Sequence, residues 1–268
     1  MLVMQTRLNE GLVNAYIEEP HRHIKSVINQ MHKIAEARAM PYAEFLEWVA
    51  AEMVAQLRRE KAARFLQAHS VQPSTKFGFN HASDEFWDML PLVRANENYH
   101  LIETSLFGRL NGSLVIDLGC GSRHSVEGVA KYLAEEYGIA EYIGVDPNHI
   151  KDEAWELKLD DIGAIVRVET RGQDALSYLV NSKAEGHVLA NGFLCTVLQE
   201  DVELAQSNHV GIMYEAGLIE MISERVGFGN LVFGTEISQR YQKLLKKMGF
   251  YLSFWDETTG FIMLREVK

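Results

Sequence analysis

The spacing of the apolar positions predicts helices in the first hundred residues of the chain. One run recurs every three to four residues, which is typical of an amphipathic helix: Ile24, Val27, Ile28, Met31 and Ile34. A second helix is predicted from Pro41 to about Ala68, because proline is favoured in the first helical turn. A third is predicted over about 84–109. The second helix is long, so we expect it to pack against another helix of this chain or of a second subunit.

After residue 112 the pattern changes to short apolar runs that alternate with helical spacing. The runs are Leu114–Ile116, Tyr142–Val145, Ala164–Val168, His187–Ala190 and Leu231–Phe233. The helical patterns cover about 125–137, 152–158, 173–181, 209–226 and 238–248. Such alternation predicts βαβ units around a parallel sheet. The final runs, FYLSFW and GFIMLREV, are separated only by DETTG, which indicates a hairpin. We therefore predict a helical extension over residues 1–100 and an α/β domain over residues 101–268.

Composition and charge narrow the class of protein. The chain has 268 residues and 47% hydrophobic residues, and no apolar run approaches the roughly 18 residues of a membrane span. The N-terminus lacks the features of a signal peptide, and the two cysteines form no spacing pattern, so we expect a cytoplasmic protein without a membrane partner. The net charge is −11, of which −10 falls after residue 100. This charge disfavours a nucleic-acid partner, and the basic stretch LRREKAAR at 57–64 is interpreted as a solvated helix face.

The stretch LVIDLGCGS, residues 114–122, ends a predicted strand with two glycines. Glycine allows a sharp turn and the close approach of a ligand, although Gly119 and Gly121 could also form a plain connection between strand and helix. A dinucleotide fingerprint would need a third glycine where His124 stands. A phosphate-binding loop would need Gly-Lys-Ser or Gly-Lys-Thr, which is absent.

VIDLGCGS resembles the first motif of the class I S-adenosylmethionine-dependent methyltransferases, Asp/Glu-x-Gly-x-Gly. YIGVDPNHI, RGQDALSYL and VLANGFL resemble the segments at the ends of that family's second, third and fourth strands. The resemblance implies a Rossmann-like, seven-stranded, mostly parallel sheet with an antiparallel last strand, and S-adenosylmethionine as cofactor. Two positions depart from the family pattern: Arg123 replaces a frequent third glycine, and His187 replaces a frequent aspartate.

The resemblance also implies which residues bind the cofactor. Asp146 would accept hydrogen bonds from the two ribose hydroxyls, Asp174 would meet the adenine amino group, and Asn191 would lie along the methionine part. The implied set is Asp117, Gly119, Cys120, Gly121, Asp146, Pro147, Gln173, Asp174, Asn191 and Gly192.

The implied activity is transfer of a methyl group to a nitrogen or oxygen of a small molecule by in-line displacement. His209 and Tyr214 follow the fourth strand and are the candidate catalytic residues; His124 and His149 follow the first two strands. No cluster has metal-ligand spacing. The extension is expected to act as a lid that selects the substrate, or to form a homodimer. Its aromatic residues Phe77, Phe79, Trp87 and Tyr99 are interpreted as packing the helical part against the sheet, and the alternative is that they line a substrate pocket. Two alternatives stay open: a methyltransferase acting on RNA or protein, and a non-catalytic binding module that retains the fold.

Overall fold

The computed structural model describes residues 7–67, 104–147, 152–206, 209–256 and 260–265. Most of the helix predicted over 84–109 lies outside these ranges, as do the four aromatic residues predicted near the junction. The boundary between the predicted domains near residue 100 also falls outside them and stays a prediction.

One sheet organises the described part of the chain. Its eight strands there are β1 (Leu114–Leu118), β2 (Glu141–Val145), β3 (Glu153–Leu159), β4 (Ala164–Arg171), β5 (His187–Leu189), β6 (Leu231–Gly234), β7 (Phe250–Asp256) and β8 (Gly260–Arg265). Their order is β3-β4-β2-β1-β5-β6-β8-β7. The five strands from β4 to β6 are parallel, and β8 lies antiparallel between β6 and β7. The predicted Rossmann-like fold with an antiparallel last strand is confirmed, with one strand more than predicted.

The additional strand is β3, and it corrects the helix predicted over 152–158. The segment is rich in helix-forming residues, but its side chains alternate between exposed and inward positions, as they do in a strand. Trp155 and Leu157 point inward, and Glu156 and Lys158 point to solvent. β3 pairs antiparallel with β4 at the edge of the sheet, because cross-strand packing overrides local propensity here.

Helices cover both faces of the sheet. One face carries α4 (Thr104–Phe107), a short 3-10 turn at Gly108–Leu110 and α5 (Arg123–Tyr137). The other carries α6 (Ala175–Asn181), α7 (Thr196–Ala205), α8 (Val210–Arg225) and α9 (Gln239–Lys247). α7 is not among the helices that the sequence pattern predicts. Each face of the sheet is thus buried beneath its own helices, as a parallel sheet requires.

The N-terminal helices form a further layer on the second face. They are α1 (Glu10–Glu18), α2 (Pro20–Ala37) and α3 (Tyr42–Gln67), and they contribute buried side chains to the same core as α6–α9. The helices predicted on either side of residue 40 are confirmed. The apolar face of α3 packs against α6, α7 and α8 of the same chain. The predicted homodimer through these helices stays a prediction and would need another surface.

α8 lies at the centre of this arrangement, and 14 of its residues, Val210–Ser223, are buried. A helix buried on all sides must pair its polar groups. Two glutamates of α8 accept hydrogen bonds from tyrosine hydroxyls of the extension. Tyr16 donates to Glu215 at 2.7 Å, and Tyr42 donates to Glu220 at 2.5 Å. Arg240 adds two bonds of 2.7 Å to the Glu215 carboxylate.

Within the described ranges, no helix combines the length and apolar character needed to cross a membrane. Arg58, Arg59 and Glu60 are exposed on α3, in agreement with the interpretation of this stretch as a solvated helix face. The side chains of Lys61 and Arg64 lie outside the described residues.

Candidate functional site

The order of the strands places a crevice beyond the end of β1. From β1 the chain continues to β2 and β4 on one side, and it later returns to β5 and β6 on the other. The loops that follow β1 and β5 therefore leave the sheet in opposite directions. Ligands of open α/β sheets bind at this switch point, outside the carboxyl ends of the strands.

The glycine turn after β1 is tied to the end of β2. Gly119 and Gly121 have φ angles of 80° and 74°, a region that favours glycine. The N–H groups of Gly119 and Cys120 donate to the Val145 carbonyl at 2.8 and 3.3 Å. Ser122 then caps α5 by accepting a hydrogen bond from the Ser125 N–H. The turn therefore delivers the start of a 15-residue helix to the crevice.

Asp146 follows β2 and is nearly buried beside the glycine turn. Its Oδ2 accepts a hydrogen bond of 3.1 Å from the Gly121 N–H, and its own N–H donates to the Arg171 carbonyl at the end of β4. Its carboxylate thus lies where the ends of β1, β2 and β4 meet. Pro147, which follows it, is half-buried.

Asp117, on β1, is 2% exposed and receives a hydrogen bond from the Tyr142 hydroxyl to its Oδ2. Its Oδ1 is buried and has no hydrogen-bond partner within the described ranges. Burial raises the pKa of the Asp117 carboxyl to about 7; the Tyr142 hydrogen bond opposes this rise, and the Asp146 charge adds to it. A buried acceptor without a partner is unfavourable unless a ligand or water completes it.

Cys120 offers the crevice its backbone rather than a reactive thiol. Burial raises the pKa of its thiol well above the ordinary value, and the charges of Asp117 and Asp146 add to this. The side chain packs on Gly144 of β2, where a Cβ atom would come within 2.8 Å of the Cys120 Sγ. The glycine at that position is therefore required for the turn to lie against β2.

Asp174 begins α6, after β4, as the sequence motif predicts for its position in the chain. Its carboxylate caps the helix by accepting a hydrogen bond of 3.1 Å from the Ser177 N–H. Burial raises its pKa, and the hydrogen bonds that it accepts oppose the rise. The neighbouring Gln173 is half-buried.

The loop after β5 closes the other side of the crevice. Asn191 is 7% exposed, and its Oδ1 has no hydrogen-bond partner in the described part of the chain. Gly192 has a φ angle of 60° and open space where a side chain would be. Phe193 lies against the first glycine turn, since a Cβ atom on Gly119 would be 3.1 Å from the phenyl ring. The sites predicted at β1 and β5 are therefore in contact.

The two candidate catalytic residues occupy different environments. α8 ends beside the start of β5, where the Gly186 N–H donates to the Arg225 carbonyl. His209 precedes it with a φ angle of 63°, and its Nε2 lies 3.4 Å from the Glu10 Oε1. Tyr214 is fully buried, and burial, followed by the Asp174 charge, raises its pKa well above the ordinary value. A catalytic role for either residue stays a prediction, and a tyrosine so placed is a poor base.

The side chain of His124 and all of His149 lie outside the described residues. His187, by contrast, is a structural residue. Its Nδ1 accepts a hydrogen bond of 3.0 Å from the Leu231 N–H, and its Nε2 lies 3.1 Å from the Arg109 carbonyl. Burial lowers its pKa to about 4. The imidazole is therefore neutral and bridges β5 to β6 and to the 3-10 turn before β1.

Sequence reasoning missed two groups of residues around the crevice. The sequence pattern indicates Tyr142 only as an apolar residue of a strand, although a tyrosine in a buried strand needs a partner for its hydroxyl. Arg123, at the start of α5, stacks 4.5 Å over Trp155 and pairs with Glu153 at 2.5 Å. It thereby fixes β3 to the helix that follows the glycine turn.

The chemistry of these residues fits S-adenosylmethionine. The crevice presents the carboxylate of Asp146 and, within the described ranges, the unpartnered acceptors of Asp117 and Asn191 beside glycines of positive φ. A ligand suited to it must donate several hydrogen bonds, and the ribose hydroxyls, adenine amino group and ammonium group of this cofactor do so. No group of three or more His, Cys, Asp or Glu side chains in the described ranges could hold a metal ion. The Rossmann-like sheet around the crevice, with β8 antiparallel beside β6, agrees with the fold that the sequence motifs imply.

No protein-family model and no curated protein matches the chain. The crystal structure of magnesium protoporphyrin IX methyltransferase from Synechocystis PCC 6803 with bound SAM is 12% identical, covers 81% of this chain and 97% of that one, and has a TM-score of 0.39. The structure of the same enzyme with bound SAH is 11% identical in sequence, covers 81% of this chain and 100% of that one, and has a TM-score of 0.40. The structure of precorrin 8W decarboxylase from Methanobacterium thermoautotrophicum is 15% identical in sequence, covers 58% of this chain and 73% of that one, and has a TM-score of 0.36. These similarities are distant, with sequence identities of 11–15% and TM-scores of 0.36–0.40.

Proposed function

We propose that the protein is an S-adenosylmethionine-dependent methyltransferase that acts on a nitrogen or oxygen of a small molecule. The observation that carries this proposal is the convergence of the glycine turn, Asp146 and Asn191 at the switch point of the sheet. A plain connection between strand and helix would not leave two buried acceptors without partners on neighbouring strands.

In this proposal the chain's own residues bind the cofactor and orient it. The Asp146 carboxylate, held by the Gly121 N–H, keeps acceptor capacity for the two ribose hydroxyls. Asp174 and Gln173 lie after β4, at the adenine end, and Asn191 and Gly192 lie after β5, at the methionine end. S-adenosylmethionine supplies a methyl group on a positively charged sulfur. The carbon–sulfur bond breaks as the acceptor's lone pair forms the new bond, and alignment alone is worth about 7–11 kcal/mol.

The proton that leaves the acceptor needs a destination, and His209 is the candidate. Its left-handed backbone is uncommon for a residue with a side chain, and such conformations cluster at functional sites. Its side chain is 13% exposed, and it precedes the buried helix α8 that follows β5 and α7 in the chain. In this proposal His209 acts as the general base that accepts this proton.

A small acceptor is favoured over RNA by charge. The sheet domain carries most of the net charge of −11, and such a surface repels a phosphate backbone. The exposed Arg58 and Arg59 are followed by Glu60, which lowers the local positive potential. The homodimer and the substrate-selecting role of the extension belong to this proposal as well.

Calorimetric titration of the whole protein tests the cofactor. S-adenosylmethionine and S-adenosylhomocysteine are expected to bind, and NAD, the control, is not. Methyl transfer from labelled cofactor is then measured with three acceptor pools: small molecules, RNA and protein. Label in the small-molecule pool supports the proposal, whereas label in either macromolecule replaces its substrate class. Binding without transfer to any pool favours the non-catalytic module, and absence of binding overturns the proposal.

A further inference from the structure

A tyrosine of β2 and the buried carboxylate of β1 form a pair on one face of the sheet. The parallel register places Tyr142 opposite Val115 and Gly144 opposite Asp117, so Tyr142 and Asp117 are diagonal neighbours on the face that carries α5. The Tyr142 hydroxyl is fully buried and donates to the Asp117 Oδ2. This bond fixes the rotation of the carboxyl and leaves Oδ1 as its second acceptor.

The position of Asp117 relates the unpartnered Oδ1 to one end of the cofactor. β1 lies between β2, which ends at the ribose ligand Asp146, and β5, which leads to Asn191. Asp117 pairs with Leu189 of β5, two residues before Asn191. Both Asp117 and Asn191 hold a buried oxygen without a hydrogen-bond partner in the described ranges. Such oxygens require a donor, and the methionine end of the cofactor offers one in its ammonium group.

We infer that Tyr142 is a positioning residue, which holds the Asp117 carboxyl so that Oδ1 accepts a hydrogen bond from the α-ammonium group of the bound cofactor. This inference rests on the proposed function. Tyr142 does not contact the ligand in this arrangement and acts through Asp117.

The surroundings of Asp117 make this contact dependent on pH. The titratable groups that face it within the described residues are Tyr142 and Asp146 from β2 and its end, and Cys120 from the glycine turn. Val126 of α5 lies against Gly144, the residue that pairs with Asp117 on β2, and Leu189 of β5 pairs with Asp117 on the other side; both are apolar. The carboxyl must ionise to bind an ammonium group strongly, and its pKa near 7 means that half of it is neutral there.

The test measures the affinity of S-adenosylhomocysteine from pH 6 to pH 8 by calorimetry. For a pKa of about 7, the affinity is expected to be about tenfold weaker at pH 6 than at pH 8. Tyr142→Phe removes the bond that favours the ionised carboxyl, so this fall should move up by about one pH unit. Tyr178→Phe, on α6, removes only the bond from the Ser182 hydroxyl and serves as the matched control, with the wild-type profile.

A second ligand separates positioning from a general structural effect. 5′-Deoxy-5′-methylthioadenosine keeps the adenosine and the thioether but lacks the ammonium group. Its affinity should be independent of pH and equal in wild type and Tyr142→Phe. If its profile shifts in the same way as that of S-adenosylhomocysteine, the inference is wrong.

A measurement on wild-type protein keeps the inference falsifiable if Tyr142→Phe does not fold. Calorimetry at pH 7 in two buffers of different ionisation enthalpy counts the protons released on binding. S-adenosylhomocysteine should release about half a proton as Asp117 ionises, and methylthioadenosine none. Binding without proton release overturns the inference and leaves the proposed function intact, whereas no binding at any pH overturns both.

Discussion

At the scale of single residues, the carboxylate of Asp146 serves both the protein and the proposed ligand. Its Oδ2 accepts the Gly121 N–H, and a carboxylate can accept hydrogen bonds from several donors at once. Asp146→Ala should therefore weaken the binding of S-adenosylhomocysteine by about 1–3 kcal/mol through loss of charge-assisted hydrogen bonds. Calorimetry measures the loss, and Asp161→Asn, in the exposed turn between β3 and β4, is the control of similar charge change. Unchanged affinity in Asp146→Ala would remove this residue from the site.

His209 gives a prediction of a different kind, since a base acts on transfer rather than on cofactor binding. His209→Ala should slow methyl transfer by about 10²–10⁴-fold if it takes the acceptor's proton. The affinity for S-adenosylhomocysteine should remain that of the wild type. Single-turnover rates on the acceptor found in the screen provide the measurement. If the variant transfers the methyl group as fast as wild type, His209 is not the base and the acceptor's proton passes to water.

The neutral His187 makes folding stability depend on pH. Its pKa is lowered to about 4 in the folded protein from an ordinary value of 6.5, so the unfolded chain takes up its proton first. The stabilisation is complete above pH 6.5 and is lost as the pH falls toward 4, by up to about 3 kcal/mol. Denaturant unfolding of wild type and His187→Gln at pH 7 and pH 4 checks this. The variant should lose about 3 kcal/mol less than wild type, and equal losses would contradict the pairing of this imidazole.

Single residues also mark what the sequence could predict of the site. Asp117, Asp146 and Asn191 could be predicted as candidates from the sequence, because each ends or follows an apolar run and the carboxyl ends of parallel strands meet at one edge. The role of Tyr142 could not be predicted, because its partner is set by the register of β1 against β2. A one-residue shift of that register would place its hydroxyl on the opposite face.

At the scale of elements, the sequence pattern predicts best where one force dominates. β1 and β2 are buried apolar runs between turn signals, and the segment between the last two runs is too short for a helix. The structure confirms both strands and the final hairpin. A helix was predicted in place of β3, because Glu, Ala, Leu and Lys favour helices. The alternation of Trp155 and Leu157 with charged residues, which indicates a strand, was the weaker signal. Which signal prevails depends on the antiparallel pairing of β3 with β4, the next strand along the chain, and the spacing within 152–158 does not show that pairing.

The contact between α1, α8 and α9 depends on a buried charge. Glu215 is fully buried and is satisfied by Arg240 and Tyr16. Arg240→Leu leaves that carboxylate without its cation and should cost about 3–5 kcal/mol. Tyr16→Phe removes one bond to a charged group and should cost about 1.5–3 kcal/mol. Both are measured by denaturant unfolding.

The double variant Glu215→Leu/Arg240→Leu is the control for this ion pair. It removes both charges, so it should recover most of the stability lost in Arg240→Leu. A double variant less stable than Arg240→Leu would show that the pair stabilises by more than mutual neutralisation.

At the scale of the whole molecule, the described extension and the sheet domain share one hydrophobic core. Side chains from α2 and α3 pack among those of α6 and α8, and a Cβ atom on Gly217 of α8 would come within 2.8 Å of the Leu46 side chain. The sequence showed that α3 has an apolar face but not what covers it, because amphipathic spacing does not specify a partner. A lid or a dimer was as consistent with that face as the packing that the structure shows.

This shared core predicts that α3 and the sheet unfold together. Leu46→Ala should lower the global stability by about 2–5 kcal/mol through lost burial and a cavity between α3 and α8. Hydrogen exchange followed by mass spectrometry at increasing denaturant measures amides of α3 and of β1 separately. Both sets should lose protection at the same denaturant concentration, and Leu46→Ala should shift both equally. Ile17→Ala, at an exposed position of α1, should shift neither by more than about 0.5 kcal/mol. If α3 lost protection while β1 kept it, the extension would be a separate folding unit, and only then would a movable lid over the crevice be compatible with the packing of α1–α3.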